Sequence, residues 1–197
     1  MFSIEKNVKN EIIINKSKFI TYLIRIEKIE DGKEQIDIIK SINKDATHYC
    51  YAYNLNSVKH FSDDGEPSGT AGMPMLNVLE NNKLNHILAI TVRYFGGIKL
   101  GAGGLVRAYT KSVTSTLDIA SIIKIDFGYS FKISCNFDKK TLVENLISNL
   151  KIENIFFDNK VNYTLNCNKE QFEIVKDLLN KNEIEIQELK EVIIKSE

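Results

Sequence analysis

A chain of 197 residues with 43% hydrophobic content is long enough to bury a core, as one large or two small domains, without disulfide or metal staples. Lys plus Arg and Asp plus Glu each number 26, so overall charge makes no case for a general nucleic-acid or membrane binder. Divided at Asp126, the first part carries 16 basic and 14 acidic residues and the second 10 and 12, so a partner bound by charge must meet a local patch.

The opening Met-Phe-Ser-Ile-Glu-Lys has neither the basic nor the long apolar region of a signal peptide, and no apolar run approaches the roughly 18 residues of a membrane span. A cytoplasmic location without a membrane partner is expected. Glu11–Asn15 and Lys18–Ile26, rich in β-branched and aromatic residues, read as a hairpin joined at Asn15-Lys16-Ser17. After Asp31-Gly32, the residues Ile36, Ile39 and Ile42 recur at helical spacing among charges, giving an amphipathic helix that ends near Asp45.

His48–Leu55 alternates, with Tyr49, Tyr51, Tyr53 and Leu55 on one face and His48, Cys50, Ala52 and Asn54 on the other. The tyrosine row suits a helix-covered sheet face, with base stacking as its competing use. The smaller, polar face is then open to solvent or a partner. An acidic turn follows, and Ser68 or Thr70 is placed to cap a helix that holds Pro74 in its first turn, carries Met75, Leu76 and Leu79, and stops in Glu80-Asn-Asn-Lys83. His86–Phe95 reads as a strand on which Arg93 shares its face with Ala89 and Thr91. The glycine-rich loop then opens a helix running to about Ile119, and Ile122–Ile125 closes the unit as a strand. This mixture predicts an α+β, two-layer domain rather than a doubly wound one.

Asp126-Phe-Gly128 is the candidate boundary, giving domains 1–126 and 127–197. Beyond it come a strand from Tyr129 to Cys135, a helix marked by Leu142, Val143, Leu146 and Leu150, strands at Ile152–Phe157 and Val161–Cys167, a helix marked by Phe172, Val175 and Leu179, and a strand at Ile184–Val192. The order β-α-β-β-α-β is that of a ferredoxin-like unit. Its outward positions are Ser, Lys, Asn and Thr, without the stacking aromatics of an RNA-recognition sheet. Cys50, Cys135 and Cys167 are far apart, lie in strand-like runs and lack Cys-x-x-Cys spacing, so they read as buried reduced thiols.

His60–Tyr109 holds both prolines and eight of the ten glycines, and chemistry is sought there first. Asp63, Asp64 and Glu66 place three carboxylates within four residues, a set that suits Mg²⁺ or Ca²⁺ or else orders the turn and faces a partner. The EF-hand's twelfth-position glutamate is missing. The preferred reading is therefore a structural or partner-facing surface, shared with His48, Ser68 and Thr70, with no metal or other cofactor. The glycine block has the opposite character. Gly96, Gly97, Gly101, Gly103 and Gly104 lie at a helix N-terminus, where unpaired N–H groups can hold phosphate, and Arg93, Lys99, Arg107 and Lys111 surround them. Neither a P-loop nor a dinucleotide fingerprint is present, so the block reads as an anion or RNA-backbone contact, with close helix-to-strand packing as the other use of its glycines. Ser62, Ser68, Thr70 and Cys50 as nucleophiles, with His48 and His60 as bases, form no elbow motif or recognisable triad.

Asp-Asp-Gly-Glu-Pro-Ser-Gly-Thr-Ala-Gly, from Asp63 to Gly72, followed by Arg-Tyr-Phe-Gly-Gly-Ile-Lys-Leu-Gly-Ala-Gly-Gly-Leu, from Arg93 to Leu105, resembles the Impact/YigZ family. Ala46-Thr-His-Tyr-Cys-Tyr-Ala-Tyr53 extends the match upstream. The motifs cover the N-terminal two thirds, and the remainder resembles the second domain of bacterial members more loosely. Asn54, Lys59 and His60 depart from the pattern, standing where more arginine is expected. The resemblance implies a first domain similar to the ribosomal protein S five domain two-like fold, and a second similar to the last domain of elongation factor G. It also implies a non-enzymatic regulator that binds the ribosome, RNA or a translation-linked protein, with no DNA partner; eukaryotic members look like regulators of a translation-control kinase pathway through protein binding. Arg93, Lys99, Arg107 and Lys111 would then contact phosphate.

The rival is a metal-assisted hydrolase or phosphoryl-transfer enzyme, in which Asp63, Asp64 and Glu66 hold a divalent ion beside a phosphate bound at the glycine loop. An enzyme of that kind needs converging carboxylates in a concave site. A binding module needs an open surface with Arg93 and the basic helix face exposed.

Overall fold

In the computed structural model, which describes residues 1–195, the chain divides into two compact units, Met1–Lys124 and a second that begins at Ile125. The first contains β1 (Phe2–Ile4), β2 (Val8–Ile14), β3 (Ser17–Arg25), α1 (Ile29–Ile42), β4 (His48–Leu55), β5 (Val58–Ser62), α2 (Gly72–Asn81), β6 (Ile87–Tyr94) and α3 (Gly101–Leu117). The next strand, β7 (Ile122–Cys135), begins in the first unit, where Ile122–Lys124 pairs with β1, and continues into the second.

The hairpin of β2 and β3 closes with Ile14 opposite Ser17, leaving Asn15 and Lys16 as a two-residue loop with φ of 47° and 64°. That backbone twist matches the right-handed twist of the strands it joins. Five strands run antiparallel in the order β2-β3-β6-β4-β5, so the sequence-predicted strand at His86–Phe95 forms the centre of the sheet. Two short strands, β1 and β5, were not expected from periodicity. α1 starts before Asp31-Gly32 rather than after it, because the Asp31 carboxylate accepts the N–H groups of Glu27 (3.0 Å) and Lys28 (3.1 Å) and stabilises the first turn.

Helices cover both faces of this sheet, so the α+β expectation holds while a partial third layer is added to the two foreseen. On one face Phe19, Leu23, Cys50 and Ala52 pack against Met75 and Leu79 of α2 and Tyr109 and Val113 of α3. Burial of each large apolar side chain contributes about 1.5–3 kcal/mol. On the other face Ile20, Ile24, Leu88, Ile90 and Val92 meet Ile39 of α1, with Tyr49, Tyr51 and Tyr53 half-buried beside them. The face expected to be open is therefore the more deeply buried one. Cys50 and Ala52 are small because α2 and α3 press on them, and Asn54 is buried with its amide donating to the Leu84 carbonyl at 2.7 Å.

The second unit contains α4 (Lys140–Leu146, preceded by a short 3-10 turn), β8 (Lys151–Phe157), β9 (Val161–Asn168), α5 (Lys169–Lys181) and β10 (Ile186–Lys195). With β7 these follow the β-α-β-β-α-β order, in an antiparallel sheet ordered β10-β7-β9-β8. Phe131, Ile133, Tyr163 and Leu165 form one face of its core against Val143, Phe172, Val175 and Leu179. Asn168 caps α5 by accepting the Gln171 N–H at 2.8 Å. Asp126-Phe-Gly128, the candidate boundary, lies inside β7, just after the division between the units at Lys124. A Cβ on Gly128 would come within 2.3 Å of the Cys167 carbonyl oxygen, so this glycine serves close strand approach.

Candidate partner interface

The acidic turn joins β5 to α2, and its carboxylates are consumed inside the fold. Asp63 reaches forward to the start of α2. Its Oδ2 accepts the Gly69 N–H at 2.8 Å, and its Oδ1 accepts those of Ala71 at 3.0 Å and Gly72 at 2.8 Å. Asp63 thus takes the capping role expected of Ser68 or Thr70. Ser68 is exposed, Thr70 donates its hydroxyl to the Pro67 carbonyl at 2.6 Å, and no side chain bonds from the N-cap position of α2. Asp64 accepts the Tyr49 N–H at 2.7 Å, while its own carbonyl lies 2.8 Å from His48 Nδ1.

Glu66 points inward. Its Oε1 accepts from Arg93 Nη1 at 2.6 Å and from the Tyr109 hydroxyl at 2.8 Å, and its Oε2 lies 3.8 Å from His48 Nε2. Arg93 is buried, with its guanidinium between the Phe19 and Phe95 rings, 5.5 Å and 5.6 Å from their centroids. This overturns the expectation that Arg93 is an exposed phosphate contact: the cation on the central strand is neutralised internally by the acidic turn. Cys50 completes the cluster, its Sγ 3.2 Å from the Tyr109 hydroxyl and 3.0 Å from the Asp63 carbonyl. Burial pushes both the Cys50 thiol and the Tyr109 hydroxyl well above their ordinary values, so neither is a ready nucleophile or base. Tyr109 is not singled out by the sequence, which carries no local signal for its link to Glu66.

Asp63, Asp64 and Glu66 therefore point to three different sets of partners and do not converge. Among the described residues no group of three His, Cys, Asp or Glu side chains is placed to hold a metal ion. The geometry required by the hydrolase reading is missing from the acidic turn.

The glycine block divides into two parts. Gly96 faces inward: a Cβ there would lie 2.0 Å from the Lys16 carbonyl carbon and oxygen, and its N–H donates to Ser17 Oγ at 3.2 Å. This glycine lets the strand end pass against the β2–β3 hairpin turn. Gly97, Lys99, Gly101 and Gly103 are exposed and Gly104 half-buried, and α3 begins at Gly101 with no side-chain cap and no acidic residue in its first turn. Its leading N–H groups and positive dipole end are thus left to an outside acceptor. Lys99, Arg107 and Lys111 are exposed and enter no ion pair among the described residues. Phe95 and Ile98 add exposed apolar surface beside them. An open groove of about 410 Å³ runs between α2 and α3, lined by Met73, Asn77, Val106 and Thr110 among others.

Among the described residues no helix is long and apolar enough to cross a membrane. Residues 15–117 match the family model of the Impact N-terminal domain. The IMPACT family member YvyE of Bacillus subtilis is 38% identical over 174 residues, covering 87% of this chain and 78% of that protein. An IMPACT family member of Haemophilus influenzae is 43% identical over 146 residues, covering 71% and 70%. A crystal structure of a hypothetical protein is similar over 100% of this chain and 98% of its own, with a TM-score of 0.68 and 30% identity.

Proposed function

The chain belongs to the Impact family, and from that premise we propose that it is a non-enzymatic cytoplasmic binding protein that modulates translation by docking on the ribosome or another phosphate-bearing RNA. The observation that carries the reading is the contrast between the two charged motifs. Every acidic-turn carboxylate is bound within the fold, whereas Lys99 stands exposed just before the uncapped start of α3 and Arg107 and Lys111 are exposed along that helix. Such an arrangement holds phosphate oxygens by charge and by backbone N–H groups, without a base-reading pocket. Gly97, Gly101 and Gly103 would let an RNA backbone approach, and the family's resemblance to translation regulators supplies the context.

A translation-linked protein is the alternative partner for the same face, as the resemblance to eukaryotic members implies. Co-sedimentation with ribosomal subunits across a salt series separates the two. RNA docking predicts saturable binding that weakens steeply with salt, and that is weaker and less salt-dependent in the Lys99→Ala/Arg107→Ala/Lys111→Ala variant. No binding at low salt would refute the ribosome reading.

A further inference from the structure

In the second unit β8 is an edge strand whose single hydrogen-bonded neighbour among the described residues is β9. A free edge carries unpaired N–H and C=O groups, and natural edges are usually blunted by charges, proline or a bulge. Here the blunting features lie at one end. Lys151 and Glu153 pair with each other at 2.6 Å, next to the irregularity between Ile152 and Asn154. From Asn154 to Phe157 the register with β9 is unbroken, and the segment has no charge and no proline.

Three of its four side chains, Ile155, Phe156 and Phe157, are apolar and uncovered. Ile155 and Phe157 stand opposite Tyr163 and Val161, which are fully buried, so they face the core side of the sheet. They nevertheless remain 38% and 55% exposed, and Phe156, on the opposite face, is 59% exposed.

We propose that β8 of a second copy of this chain covers the edge, pairing antiparallel about a twofold axis that passes through Phe156. Residues directly opposite in an antiparallel pair share a face, so the axis must pass through a residue. Centred on Phe156, the register puts that ring opposite its own counterpart and Ile155 opposite the partner's Phe157, in both directions. Aromatic–aromatic and aromatic–β-branched pairs are the stabilising kinds of cross-strand contact. The flanking pair is Asn154 with the partner's Asp158, and no like charges meet. Centring on Ile155 would instead oppose Asn154 to Phe156 and Glu153 to Phe157, polar against apolar. The same short segment is thus complementary to itself, and a formal net charge of +0 places no long-range repulsion between copies. Strand pairing of this length is small beside the roughly 1,200–2,000 Å² of a stable interface, so the dimer is concentration-dependent.

Sedimentation equilibrium of the full chain, from micromolar to near-millimolar concentration, tests this. The mass should rise from 22.5 kDa toward twice that value. Phe156→Lys, which sets two like charges across the axis, should remain monomeric with an unchanged melting curve, because the side chain is exposed. Phe156→Cys should form a disulfide-linked dimer on oxidation and Asn154→Cys should not; the native cysteines are all buried and do not compete. A monomer at the highest concentration, a dimer that survives Phe156→Lys, or equal cross-linking through Asn154→Cys would overturn the proposal. So would a monomer that takes up an added extended peptide along β8, which would favour a foreign strand.

Discussion

Glu66 and Arg93 are 27 residues apart in sequence and meet at 2.6 Å, with side chains only 3% and 6% exposed. The pair fastens the acidic turn to the central strand, and the Tyr109 hydroxyl brings α3 to the same carboxylate oxygen. Breaking such a pair leaves a buried charge without compensation, which costs about 3–5 kcal/mol, whereas replacing both members by apolar groups is often neutral. Arg93→Ala should therefore lower the stability measured by urea denaturation by about that amount. Arg93→Met combined with Glu66→Leu should recover most of it. An Arg93→Ala protein as stable as the parent would show that the pair is not what joins turn and strand.

Asp63 accepts three backbone N–H groups at the start of α2. Loss of one capping side chain costs about 0.5–2 kcal/mol, and Asp63→Ala should reach or exceed the upper end because three donors lose their acceptor. Ser68→Ala should change stability by less than about 0.5 kcal/mol, as expected for an exposed residue outside such a network. Thermal melts of the two variants give the comparison, and equal effects would contradict the assignment of the cap.

The glycines of the second motif should separate into two classes. Gly96→Ala places a methyl group 2.0 Å from the Lys16 backbone and should destabilise the fold severely. At Gly103 the nearest atom to an added Cβ is Arg107 Nη1 at 3.7 Å, and the position is helical, so Gly103→Ala should be neutral or gain up to about 1 kcal/mol. Soluble yield and urea midpoints measure both. A tolerated Gly96→Ala would contradict the close approach.

His86 is buried before the central strand, and burial, reinforced by the nearby Arg25 charge, holds its imidazole below the ordinary value of 6.5. Below about pH 6.5 the unfolded chain takes up a proton that the folded chain resists. The contribution of His86 is thus fully present above about 6.5 and is lost as pH falls through the lower folded value. Stability should decline as pH falls below about 6.5 more steeply in the parent than in His86→Gln, by at most about 1.4 kcal/mol per pH unit. Parallel profiles would remove His86 from the pH response.

Local pattern made much of this fold legible. The Asn15-Lys16 turn, the alternating strands His48–Leu55 and Ile87–Tyr94, and the β-α-β-β-α-β order of the second unit follow from periodicity and turn chemistry. Long-range pairing was not legible. Asp63, Asp64 and Glu66 have the composition of a solvated turn, and their commitments depend on backbone and side chains brought together by the sheet. Arg93 looked exposed because the small residues sharing its face resemble a polar surface, when they are small to admit α3. Of the basic residues singled out, Lys99, Arg107 and Lys111 keep the exposure a binding site needs.

The central claim is that these three cations hold phosphate, and the salt dependence of binding to ribosomal subunits tests it most directly. Each neutralised phosphate contributes about 0.7–0.9 to the slope of log affinity against log salt, so the triple alanine variant should have a slope shallower by roughly 2–3, with its melting curve unchanged. Equal slopes for parent and variant would contradict the account and place any binding on another surface.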